Sequence, residues 1–182
     1  MVETSRTRNA PATREAILSA ATQLFLRDGY DQAGLRAIAA EAGIDPALIN
    51  RYFGSKQQLF GEVLKVAGKN PMHLFEGERD RCGERVAAEL AACAAERPRQ
   101  LTFLGLVVGA TGSPEASEMA SAHIEQHFIR PLSRWLGTPK AQSRARLLCS
   151  LLMGSVIMNN IKPRSPADRQ QLARQVQSII DG

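Results

Sequence analysis

The sequence predicts an all-α protein, and three observations carry that reading. No stretch sustains apolar–polar alternation at every second residue, and no Asn-Gly or Asp-Gly pair marks a hairpin. Apolar residues instead recur at helical spacing, as in Ile17, Ala21, Leu24 and Phe25. Helix-start chemistry is also repeated. Asp45-Pro46, Ser113-Pro114, Thr138-Pro139 and Ser165-Pro166 each put a capping side chain before a proline, whose missing N–H is harmless in a first helical turn.

The elements follow in order. Thr13 is the expected N-cap of TREAILSAATQLFLRD, and Gly29 supplies its C-terminal turn. A second helix is expected over 34–42, closed by Gly43, and a third over 46–53. Ser55 opens a fourth, with Gln58 three residues on completing a capping box. Residues 81–96 read as a helix stopped before Pro98, and 99–111 as an apolar one. Helices over 114–136, 139–161 and 166–181 complete the chain, the first kinked by Pro131 and the second stopped by Pro163. The expected organisation is an arm at 1–12, a three-helix unit at 13–55 and a larger helical domain at 56–182.

Bulk properties narrow the class. The 182 residues are 44% hydrophobic, ordinary for a globular chain. Cys82, Cys93 and Cys149 show no C-x-x-C spacing, so buried thiols in a reducing compartment are expected, not a disulfide framework. No apolar signal segment opens the chain, and runs such as LLCSLLMGSVIM are too short to span a bilayer. A cytoplasmic protein without a membrane partner is therefore expected. Net charge is +5, distributed as +2 over residues 1–70, −4 over 71–129 and +7 over 130–182. There is no G-x-S-x-G, P-loop or paired carboxylate with a plausible partner, so no enzyme, catalytic residue or cofactor is expected.

The stretch IAAEAGIDPALINRYFGSKQQLF, residues 38–60, carries the functional reading. Two short helices joined by a tight glycine turn make a helix-turn-helix. Ala39 and Ala42 let the helices cross closely, and Gly43 permits the positive φ of the turn. Ile38, Ile44, Ile49 and Phe53 supply a minimal core. Pro46, Ala47, Asn50, Arg51 and Tyr52 then point outward. A helix with a small N-terminal half and an Arg–Tyr–Asn flank suits a DNA major groove. Lys56 and the helix N-terminus beside it suit a phosphate.

These elements in this order closely resemble the N-terminal domain of TetR-type transcriptional regulators: Gly29-Tyr30, I-A-x-x-A-G-I at 38–44 and Y-F-x-S-K at 52–56. The resemblance spans residues 13 to about 60. It implies a homodimer on a palindromic double-stranded operator, released by a small molecule bound in the C-terminal domain. Carried over by position, Arg36, Pro46, Ala47 and Arg51 fall where family members read bases, and Asn50, Tyr52 and Lys56 where they hold phosphates. Asp45 and Leu48 complete the expected DNA-binding set. Gly34, Leu48 and Asn50 depart from the family's usual hydroxyl or Tyr, and Asn50 could instead reach an adenine edge. Arg6 and Arg8 on the arm suit either a DNA groove or a solvated tail.

Beyond residue 60 the readings are coarser. Phe75, Leu104, Val108, His127 and Phe128 are the expected walls of an effector site, with an apolar or aromatic ligand favoured. His123 and His127 share a helix face but lack a third ligand, so no metal is expected. His127 should line a pocket or the core, and His123 should be partly solvated. Leu147, Leu148, Leu151, Leu152, Ile157 and Ile161 are too many for one surface-helix face. They fit deep burial or, preferably, a dimer interface built from the last two helices, with the C-terminal arginines as a solubilising rim. An alternative is a small-molecule or protein-partner binding helical protein with a weakened DNA module.

Overall fold

A computed structural model describes residues 10–68, 71–92, 97–137, 140–161 and 165–182. Among these the chain is all-α, without strands. The helices are α1 (Ala10–Gln32), α2 (Leu35–Glu41), α3 (Pro46–Phe53), α4 (Lys56–Ala67), α5 (Cys82–Ala92), α6 (Arg97–Ala110), α7 (Pro114–Ile124), α8 (Arg130–Leu136), α9 (Ala141–Ile161) and α10 (Pro166–Asp181). Short 3-10 turns cover Pro71–Phe75 and Arg79–Arg81, and a π turn covers Glu125–Ile129. The Thr138-Pro139 start, the Pro163 stop, Cys93, Arg6 and Arg8 lie outside the described residues.

The contacts divide the chain into two compact units. One runs to Ala67 and takes in Gly105–Ser121; the other comprises Gly68–Leu104 and Ala122–Gly182. Helix α4 and residues 105–121 thus belong with the N-terminal helices, although both lie in the 56–182 stretch expected as the larger domain.

In the first unit, α1 begins at Ala10, so Thr13 lies inside the helix and is not its cap. Pro11 explains the early start, since its fixed φ and absent N–H suit a first turn. The face expected from spacing is buried: Ile17, Ala21, Leu24 and Phe25 are at most 2% exposed. Gly29 breaks the helix at φ 78° and ψ 170°, and one further turn sets Tyr30 inward. Phe25, Tyr30 and Phe60 then pack ring on ring, with centroids 5.1–5.8 Å apart. Such aromatic pairs stabilise by about 0.5–1.5 kcal/mol beyond their burial.

In the second unit, α10 buries Leu172, Val176 and Ile180, one turn apart, and packs mainly on α5. Gly83 makes the close approach, its N–H donating to Gln177 Oε1 at 2.9 Å. Ser165 and Asp168 form a reciprocal capping box at the start of α10. Its end is closed by Arg144, whose guanidinium donates to Ile179 O at 2.7 Å and also to Ile180 O. Arg144 is therefore a half-buried helix cap and not part of a solvated rim. Arg79 lies 4.6 Å over the Trp135 ring and donates to the carbonyls of Trp135, Leu136 and Ile180.

Pro131 acts through the π turn. Its ring would press on the carbonyl four residues back, at His127, and the widened turn at 125–129 relieves that clash. Helix α9 has two apolar faces. Ala145, Leu148, Cys149 and Leu152 are buried, whereas Leu147, Ile157, Met158 and Ile161 are exposed.

Candidate nucleic-acid interface

The interface rests on how α2 stops and α3 starts. At the end of α2, Gly43 N–H donates to Ala40 O at 3.1 Å and Ile44 N–H to Ala39 O at 3.0 Å. That pair of bonds is a Schellman closure, and it needs the left-handed residue that Gly43 provides at φ 65°. Two residues later the Asp45 carboxylate accepts the Ala47 N–H at 2.7 Å, with Pro46 as the first residue of α3. A cap of this kind stabilises by about 1 kcal/mol. Both devices are local, which is why the sequence displays them.

Burial orients α3. Ile49 is 0% exposed and Phe53 6%, and with Ile38 and Ala39 of α2 they fix the inner face. Asp45, Pro46, Ala47, Asn50 and Arg51 are then exposed, and Leu48 and Tyr52 half-buried. Arg36 is exposed on α2. Gly34 caps α2 without a side-chain bond, the consequence of lacking the usual hydroxyl.

Helix α4 opens with half a capping box. Ser55 Oγ accepts the Gln58 N–H at 3.1 Å, while the Ser55 N–H goes to Phe53 O. Lys56, the first residue of α4, donates to Asp31 O at 3.1 Å and stands 4.6 Å over the Tyr30 ring. Beside it an open groove of about 580 Å³ is lined by Arg14, Tyr52, Phe53, Gln57, Gln58, Gly61, Glu62, Lys65 and Met119. Within it Arg14 pairs with Glu62 and covers the Phe53 ring, and Lys65 pairs with Glu62 at 2.8 Å. The Lys65 and Arg14 bonds hold the Glu62 carboxyl below its usual range against the effect of burial.

The geometry therefore presents a braced short helix whose outer edge carries Asn50 and Arg51, followed by a lysine at the next helix start. Two family models match this chain. "Bacterial regulatory proteins, tetR family" covers residues 17–63, and "Tetracyclin repressor-like, C-terminal domain" covers residues 80–182. The chain belongs to the TetR family.

Relatives of this TetR-family chain agree. The HTH-type transcriptional repressor Rv3405c of Mycobacterium tuberculosis is 40% identical over 75 residues, 39% of this chain and 40% of that protein. The chain thus matches about two fifths of the length of the first curated relatives. A TetR-family regulator from Streptomyces coelicolor is 26% identical and superimposes with a TM-score of 0.58, covering 96% of this chain and 97% of that one. GusR of Salmonella enterica shares the fold at a TM-score of 0.75 and 18% identity, covering 94% and 96%. The family is one of bacterial regulatory proteins.

Four of the five expected effector residues, Phe75, Leu104, His127 and Phe128, lie in the second compact unit. Phe75 is 1% exposed and packs on Trp135 at 5.3 Å between centroids. Phe128 is half-buried and stacks on Phe103 at 5.2 Å, and Leu104 is buried. His127 is half-buried, 4.5 Å from the His123 ring. Val108 lies in the first unit and is 60% exposed. His123, expected to be partly solvated, is buried, because Phe103 of α6 covers it. Sequence spacing carried no hint of Phe103, nor of the Tyr30–Glu115 contact that flanks Lys56. No described helix is long and apolar enough to cross a membrane.

Proposed function

We propose that the chain is a ligand-responsive, sequence-specific transcriptional repressor of the cytoplasm. It binds a palindromic operator as a homodimer and is released by a small apolar or aromatic effector. The observation that carries the DNA reading is the exposed Asn50–Arg51 edge of α3, held by the buried Ile49 and the Asp45 cap. Arg36, Pro46, Ala47 and Arg51 read base edges; Asn50, Tyr52 and Lys56 hold phosphates.

The dimer reading is supported by α9. Leu147, Leu151, Gly154, Met158 and Ile161 recur at four- and three-residue steps, one seam of a helix, and three of them are large exposed hydrophobics. A soluble chain covers such a stripe, and a second copy of α9 with α10 covers it by symmetry. Leu104, His127 and Phe128, with Phe103 beside them, favour an aromatic effector in the second unit; Phe75 contributes through Trp135. Val108 belongs to the first unit, where its side chain is exposed.

Selection of genomic fragments by the intact protein tests the DNA reading. One fragment class should bind at least 10³-fold more tightly than random duplex at physiological salt. Arg51→Ala should cost about 1–3 kcal/mol and relax sequence preference. Enrichment no better than random DNA would refute it. Effector binding is tested separately by thermal shift against a library of small aromatic compounds.

A further inference from the structure

Tyr30, Lys56, Gln57 and Glu115 form one connected cluster within the first compact unit. Glu115 Oε2 accepts the Tyr30 hydroxyl at 3.0 Å, and Glu115 Oε1 accepts from Gln57 Nε2. Tyr30 is 4% exposed, its ring packed edge-on against Phe60 and its hydroxyl tied to Glu115. The Lys56 ammonium rests on that ring and on Asp31 O. An ammonium has three donors. Asp31 O takes one, which leaves donors for an acceptor arriving from outside at the start of α4. Without the ring and the carbonyl, a lysine would sample many rotamers and lose its aim. Burial and the Glu115 bond push the Tyr30 phenol above its ordinary range.

We propose that Glu115 is a positioning residue for the phosphate grip at the start of α4. Through Tyr30 it fixes the Lys56 ammonium where a DNA phosphate meets it. The inference rests on the DNA-binding reading above, and it adds a residue that lies 58 positions from Gln57 and 85 from Tyr30. Glu115 stands in the first turn of α7, so displacing that turn frees the Tyr30 hydroxyl and Gln57 together. The grip on DNA is thereby tied to the position of α7.

The test must separate aim from charge, because losing a carboxylate also removes a repulsion toward phosphate. Glu115→Gln and Glu115→Ala remove the same charge, but only glutamine keeps an oxygen for Tyr30. Tyr30→Phe leaves the ring, the core and every charge in place and deletes only the hydroxyl. Binding to a fluorescein-labelled mixed-sequence duplex is followed by anisotropy across a salt series. Lys56→Ala should flatten the salt slope by about 0.9, roughly a threefold change in affinity over a fourfold salt range. Tyr30→Phe should lose part of the same slope and about twofold in affinity, and should add nothing in the Lys56→Ala background. Glu115→Gln should bind about twofold more tightly than Glu115→Ala.

Equal binding by the Gln and Ala variants, with Tyr30→Phe at full affinity, would reduce the cluster to a fastener of the fold and overturn the proposal. So would an additive loss in the Tyr30→Phe, Lys56→Ala double variant. Failure of the unaltered protein to bind any duplex would instead sink the DNA-binding reading, and the proposal with it.

Discussion

Replacing Gly83 by alanine sets two effects of opposite sign against each other. Gly83 lies in the first turn of α5, where helix propensity credits alanine with up to about 1 kcal/mol of added stability. The packing opposes this. A Cβ at Gly83 would stand 2.2 Å from Ala173 O and 3.0 Å from both the Gln177 Cβ and the Gln177 backbone nitrogen. The nearest atom is backbone of α10 and cannot rotate away. Restoring an ordinary carbon–oxygen contact of about 3.3 Å needs α5 and α10 to part by about 1 Å. That movement strains the Gly83–Gln177 hydrogen bond and loosens Leu172, Val176 and Ile180. Overpacking of this kind costs about 1–3 kcal/mol, occasionally more. The clash therefore outweighs the propensity gain, with a net loss of about 2 kcal/mol and a Tm lower by about 4–8 °C. Far-UV circular dichroism melts measure it. Gly61→Ala is the control, since its Cβ would meet nothing nearer than Met119 Cε at 3.8 Å, and its Tm should rise. An unchanged or raised Tm for Gly83→Ala would refute the close approach of α5 and α10.

Other outcomes follow from the same coordinates. Met158→Glu places a charge on the exposed stripe of α9 and should leave a single-chain mass of 19.8 kDa in light scattering, where the unaltered chain should give twice that. Asp45→Ala removes the α3 cap, should cost about 1 kcal/mol of stability, and should weaken operator binding. Burial pushes the Cys149 thiol up to about 11 and raises that of Cys82, so both should label slowly with maleimide at pH 8 in peptide maps. The unfolded thiol ionises first, so the Cys149 contribution is intact below about pH 9 and is lost as pH rises toward about 11.

What was legible in the sequence was local. Asp45-Pro46, Ser165-Pro166 and the Gly43 closure are decided within six residues, and each formed as read. The α1 face was legible because its period alone selects the buried side. Thr13 misled because Pro11 offers an earlier start. His123 looked half-solvated because Phe103, which buries it, is twenty positions away and on another helix. The two faces of α9 could not be told apart, since leucines at 147 and 148 are alike until neighbours bury one of them. Glu115 stands in the first turn of α7, 85 positions from Tyr30, and only packing brings the two together. At the candidate interface the outward edge of α3 was legible, whereas the surroundings of Lys56 were not.

Hydroxyl-radical footprinting on a selected genomic fragment tests the central claim most directly. The account predicts two protected stretches related by a two-fold axis, centred about one helical turn or roughly 34–36 Å apart, and both weakened together by Arg51→Ala. One isolated protected stretch, or a footprint that Arg51→Ala leaves unchanged, would contradict it.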